Sequence, residues 1–158
     1  MIIYTTQHKD FLKNVPIEIF DAKYKNLYDK LFKKLGIDGY RVIWGWYKRF
    51  GTILGNVSDK DAIDLVYGTL HCPSKDTDIL VKLDISENNV KLVNYYEWTD
   101  LMFFTEEGDD GYTKEEIDNL IKHIWEVGLT TTDPKEGNVD CIQALCINVS
   151  KDNIVKIF

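Results

Sequence analysis

At 158 residues the chain has room for one ordinary domain with a real hydrophobic core, and not for two. Hydrophobic residues make up 44%, charged residues 28% and aromatics 13%, which excludes disordered, collagen-like and disulfide-scaffold classes. Lys plus Arg number 19 against 26 Asp plus Glu, and the net charge of -7 works against nucleic acid or an anionic membrane as a partner.

No stretch approaches the roughly 18 to 20 apolar residues of a membrane span, and the opening MIIYTTQHKD lacks the basic flank and long apolar region of a signal peptide. The expectation is a cytoplasmic protein forming a single domain over residues 1–158. Cys72, Cys141 and Cys146 are odd in number and lack C-x-x-C spacing, so they are expected as free thiols in packing roles.

Residues 2–6 are apolar and β-branched and read as a strand, followed by a helical turn or two over 8–14 before Pro16. Tyr24, Leu27, Tyr28, Leu31, Phe32 and Leu35 keep helical spacing, with Gly36 placed to end the helix. Residues 40–47, YRVIWGWY, predict a buried strand in which Gly45 marks a close approach or a bulge. Regular alternation there puts Trp44 and Trp46 on one face and Ile43, Gly45 and Tyr47 on the other.

Ser58 with Asp61 resembles a capping box and predicts a brief helix, and residues 68–78 read as a loop. Residues 79–85 and 90–93 predict two strands joined as a hairpin around Ser86, Glu87, Asn88 and Asn89. Thr113 and Glu116 cap a helix over 114–127 that presents Ile117, Leu120, Ile121, Ile124 and Trp125 on one face. Residues 141–149 and 153–158 predict a second hairpin-like pair. Segregated strands and helices point to an α+β fold, a mixed or mainly antiparallel sheet with two principal helices.

Familiar chemistry is sparse. There is no Gly-rich phosphate loop and no G-K-[ST], and His8, His71 and His123 lack metal-ligand spacing. The acidic run 106–110 fails as a calcium loop, because setting Gly111 at its sixth position puts Ile117 where the bidentate Glu must sit. The remaining signal is aromatic and amide: Trp44, Trp46 and Tyr47 on one strand, Tyr95, Tyr96 and Trp98 after another, and Gln7 and Gln143 interrupting apolar strands. Two such amides are expected to approach each other or a common cleft, since burying them unpaired is costly.

The segments YTTQ (4–7), IWGWYK (43–48), LVKLDISENNVKLVNYYEW (80–98) and IQALCINVSKDNIVKIF (142–158) resemble, in order, a family of small bacterial and phage proteins known only as a domain of unknown function. Asn94 stands where that family has an aspartate, and Leu145 to Ile147 lack its bulky aromatic pair. The order of elements also looks like compact NAD-using ADP-ribosyltransferase folds. That likeness implies Thr6 and Gln7 as first-strand ligands of NAD or another nucleotide, and Trp46 or Tyr47 as the stacking group. It also implies Gln143 as the late-strand residue; an amide carries no negative charge, so transfer would need another carboxylate, and Glu97 beside Trp98 is the one the sequence offers nearest an aromatic cluster. The alternative expectation is a non-enzymatic interaction module whose acidic surface at 106–110 engages a basic partner protein.

Overall fold

A computed structural model describes residues 1–9, 42–68, 78–96 and 140–158, together with positions 113, 115 and 119. Among the described residues there are seven strands: β1 (Ile2–His8), β2 (Val42–Arg49), β3 (Thr52–Ile53), β4 (Asp78–Asp84), β5 (Val90–Asn94), β6 (Ile142–Ile147) and β7 (Ile154–Ile157). They form one sheet in the order β5-β6-β2-β1-β4-β7, with β3 paired to β2, and every pairing is antiparallel. One α-helix, α1 (Asp59–Tyr67), packs on the sheet. The mainly antiparallel α+β expectation therefore holds. Both principal helices and the turn over 8–14 fall largely outside the described residues, although Glu115 and Asn119 are helical.

Neither expected hairpin exists. β4 pairs with β1 and β7, and β5 pairs with β6, so four inter-strand steps separate β4 from β5. Likewise β6 and β7 lie on opposite sides of the β2-β1-β4 centre. Short turn-rich links resemble hairpin turns locally, but partner choice here follows tertiary packing.

The links also dictate the sheet's shape. Four steps in a flat sheet span about 19 Å. Residues 85–89 contain the 3-10 turn Glu87–Asn89, whose rise of only about 2 Å per residue cuts the reach of the link below that span. The sheet must curl to bring β4 and β5 within reach. Ile85 from this link and Val149 from the β6–β7 link are both buried with Ile3, Ile43, Val81, Leu83, Leu92, Ile142, Ala144 and Cys146. The two links thus close over the inner face, where each fully buried aliphatic side chain contributes about 1.5–3 kcal/mol. Asn153 Nδ2, at the start of β7, donates to Asp84 O at 3.0 Å and ties one link to the other.

The opposite face carries α1. Ser58 is its N-cap: Ser58 Oγ accepts from Asp61 N at 3.2 Å and donates to Asp61 Oδ2 at 2.6 Å. Ala62 and Val66 pack onto Tyr4, Leu54 and Leu80, with Trp46 at the margin. Register sets Val93, Gln143, Trp46, Tyr4, Lys82 and Lys156 as one row across this face.

Gly45 is the expected close approach. A Cβ there would run into the Cγ2 methyl of Ile3 and sit 3.1 Å from Tyr4 O, so no other residue fits without moving β1. The bulge lies two residues on, where Trp46 pairs with Gln143 but Lys48 pairs with Ile142, leaving Tyr47 as the extra residue. Cys141 and Cys146 are buried free thiols, whereas Cys72 is outside the described residues.

Candidate functional site

The register separates the residues that sequence reasoning grouped. Gln7 pairs with Ile79 and shares the inner face with Ile3 and Thr5, while Gln143 pairs with Trp46 on the helix face. Gln7 Nε2 donates to Thr5 Oγ1 at 2.7 Å, and Thr5 Oγ1 donates in turn to Trp44 O, so this amide is satisfied inside β1 and β2. Tyr47 packs on the inner cluster, and its pKa is raised by burial and then by the charge of Glu87. Thr6, Trp46 and Gln143 lie on the helix face. A single cleft containing Gln7, Trp46, Tyr47 and Gln143 therefore does not assemble, because the sheet stands between its halves. Glu97 and the acidic run 106–110 lie outside the described residues.

What the structure does assemble around Trp46 is a cluster centred on Arg49. In an unbroken strand these two side chains would point to opposite faces. The extra residue at Tyr47 resets the alternation, so Lys48 faces the inner side opposite Ile142 and Arg49 joins Trp46. The guanidinium carbon lies 3.8 Å from the centroid of the Trp46 ring. Tyr95 tilts against Trp46 at 5.0 Å and Tyr96 sits edge-on to Tyr95 at 5.4 Å. Tyr95 N donates to Cys141 O at 3.1 Å, which anchors the end of β5 to the start of β6.

Phe50 and Gly51 complete the cluster as a two-residue turn between β2 and β3. Their φ values of 46° and 78° are both left-handed, the geometry that matches strand twist in a tight hairpin. Glycine adopts this freely, whereas a phenylalanine is held there at a cost of order 1–2 kcal/mol. Gly51 N donates to Asp140 O at 2.9 Å and fixes the turn. Phe50 is thereby presented 5.0 Å from the Arg49 guanidinium, with 55% of its surface exposed.

Arg49 itself is 5% exposed, and its Nε is buried without a hydrogen-bond partner. No ion pair to it occurs among the described residues. Burial lowers its pKa, opposed by Cys141, Tyr95 and Tyr96, and an arginine starting so high remains a cation at neutral pH. Leaving a buried cation without a counter-charge costs several kcal/mol. The Trp46 face returns up to about 2 kcal/mol of that. The arrangement costs stability, and it creates an electropositive spot walled by four aromatic rings.

A second polar cluster is self-contained. Asp59, in the first turn of α1, accepts from Lys82 Nζ at 2.7 Å, Lys156 Nζ at 2.9 Å and Tyr4 Oη at 2.9 Å. These bonds, Lys82 first, hold its carboxyl well below the usual carboxylate range. Burial and the bond to Asp59 raise the Tyr4 pKa, and Lys82 is raised by the same carboxylate. One side chain thereby fastens α1 to β1, β4 and β7, with both its oxygens committed. Among the described residues no group of three or more His, Cys, Asp or Glu is placed to hold a metal ion, and no helix is long and apolar enough to cross a membrane.

Compared with protein-family models, curated proteins and solved structures, the chain has no match in any of the three.

Proposed function

We propose that this chain is a binding module for the planar ring of a nucleotide, with NAD among the ligands to be tried. The ring is received by the aromatic cluster of Trp46, Phe50, Tyr95 and Tyr96. The observation that carries this reading is the placement of two exposed aromatics, Phe50 at 55% and Tyr96 at 56%, beside the buried Arg49–Trp46 stack. Exposed rings beside a rigid, strand-borne platform offer stacking surface at little entropic cost.

The reading is one of binding and not of transfer. Cleaving a glycosidic bond requires a negative charge beside the developing cation, and Gln143 brings an amide to the Trp46 face. A thermal-shift screen with NAD, ADP-ribose and the common nucleotides tests the proposal. A ligand at 100 times its dissociation constant adds about 2.7 kcal/mol of stability. Phe50→Ala should abolish that shift without changing the unliganded melting temperature by more than a few degrees. No shift with any of these compounds, at concentrations up to several millimolar, overturns the reading.

A further inference from the structure

Resting on that reading, we infer that Arg49 is the anion subsite of the same site and that the ligand class is a nucleoside bearing a phosphate, bound only weakly as the bare nucleoside. The guanidinium is the feature the fold itself leaves incomplete: a side chain 95% removed from solvent, with a buried Nε that meets no acceptor. Among the described residues its neighbours Trp46, Phe50, Tyr95, Tyr96 and Cys141 offer ring faces, phenols and a thiol, and the Asp140 carboxylate borders the cluster beside Gly51 and Tyr96 without an ion pair to Arg49. A buried Nε–H without a protein acceptor, on a guanidinium that keeps its charge, matches an oxygen of a phosphoryl group. The adjoining rings match a base a few ångströms away. Lys48, the nearest cation in sequence, faces the opposite side of the sheet beside Ile142, so one guanidinium serves one phosphate.

Entry is governed by Tyr96. Its ring is more than half exposed, and among the described residues its hydroxyl has only a 4.0 Å contact to Cys141 Sγ, so displacing it forfeits little there. Trp46, by contrast, packs against the helix-face cluster, and Tyr95 tilts against the Trp46 ring at 5.0 Å. The phosphate therefore reaches Arg49 by moving Tyr96 aside, and the base takes the vacated stacking surface.

Isothermal titration of the full chain with the four common nucleosides and their 5′-monophosphates tests this. Wild-type protein should bind one monophosphate at least tenfold more tightly than its nucleoside, with that gap shrinking as salt rises. Arg49→Met should erase the gap while leaving nucleoside affinity within about threefold, and Arg49→Lys should restore part of it. Equal wild-type affinities for nucleoside and monophosphate, or a gap that survives Arg49→Met, would sink the subsite while leaving ring binding intact. If neither series binds, the ring-binding proposal falls and the subsite with it. Circular dichroism of both variants separates a lost ligand contact from a lost fold.

Discussion

The Arg49 guanidinium lies 3.8 Å from the Trp46 ring centroid, three residues along a strand whose regular alternation would set them on opposite faces. One extra residue, Tyr47, makes the contact. A bulge of this kind re-aims a single side chain while leaving strand pairing intact on either side.

Because that side chain is buried and meets no counter-charge among the described residues, Arg49→Met should stabilise the protein by about 1–3 kcal/mol, as replacing buried charge with an apolar side chain of similar volume often does. Urea denaturation monitored by circular dichroism reads this directly. A destabilisation beyond about 1 kcal/mol would show that Arg49 is a structural element of the fold.

Gly45→Ala should destabilise by about 1–3 kcal/mol or prevent folding, since the added methyl meets Ile3 from the neighbouring strand. Combining it with Ile3→Ala, which removes the obstructing Cγ2 methyl, should recover part of the loss relative to the sum of the two single substitutions. Absence of any recovery in the double mutant would locate the clash in the Tyr4 backbone.

Acid should loosen α1. The Asp59 carboxyl has a lower pKa folded than unfolded, so its stabilising effect is complete above the unfolded value of about 4 and is lost as pH falls below it. The melting temperature should drop more steeply between pH 4 and pH 2 in the wild type than in Asp59→Asn. Parallel curves for the two proteins would show that the carboxylate contributes nothing through its charge.

Cys146 should be inert in the native state. Burial pushes its thiol up to about 12, and the side chain is wholly enclosed in the inner cluster. Mass spectrometry after brief exposure to a maleimide at pH 7.5 should find Cys146 unlabelled until denaturant is added. Labelling at the rate of an unfolded control would mean that the sheet opens readily around β6.

Much of the local structure was legible from residue type. The runs at 2–6, 42–47, 79–84 and 90–93 are strands because alternating and β-branched residues leave little choice, and Ser58 caps α1 because its hydroxyl can reach the Asp61 amide. Pairing was not legible, since residues 85–89 look like a turn whether β4 and β5 are neighbours or four steps apart. The site was half legible. Trp46 stood out by its ring, but the expected strand stopped at residue 47 and left Arg49 unassigned, and nothing in YKRF reveals that Tyr47 is surplus. The paired glutamines misled for a simpler reason: Thr5 gives Gln7 a partner two residues away on its own strand.

The strand order also has consequences for how the chain reaches its native state. β6, residues 142–147, inserts between β2 and β5, and β7 completes the flank of β4. Until those late segments arrive, β2, β4 and β5 each expose a row of unpaired backbone groups, the condition that invites strand exchange between molecules. A chain synthesised only as far as β5 therefore holds its strands in an unfinished sheet, and formation of the long-range pairs, slow for topologies of this type, waits on synthesis of β6 and β7. Protection of that intermediate by holdase chaperones, and aggregation of fragments that end before residue 142, follow from sheet order alone.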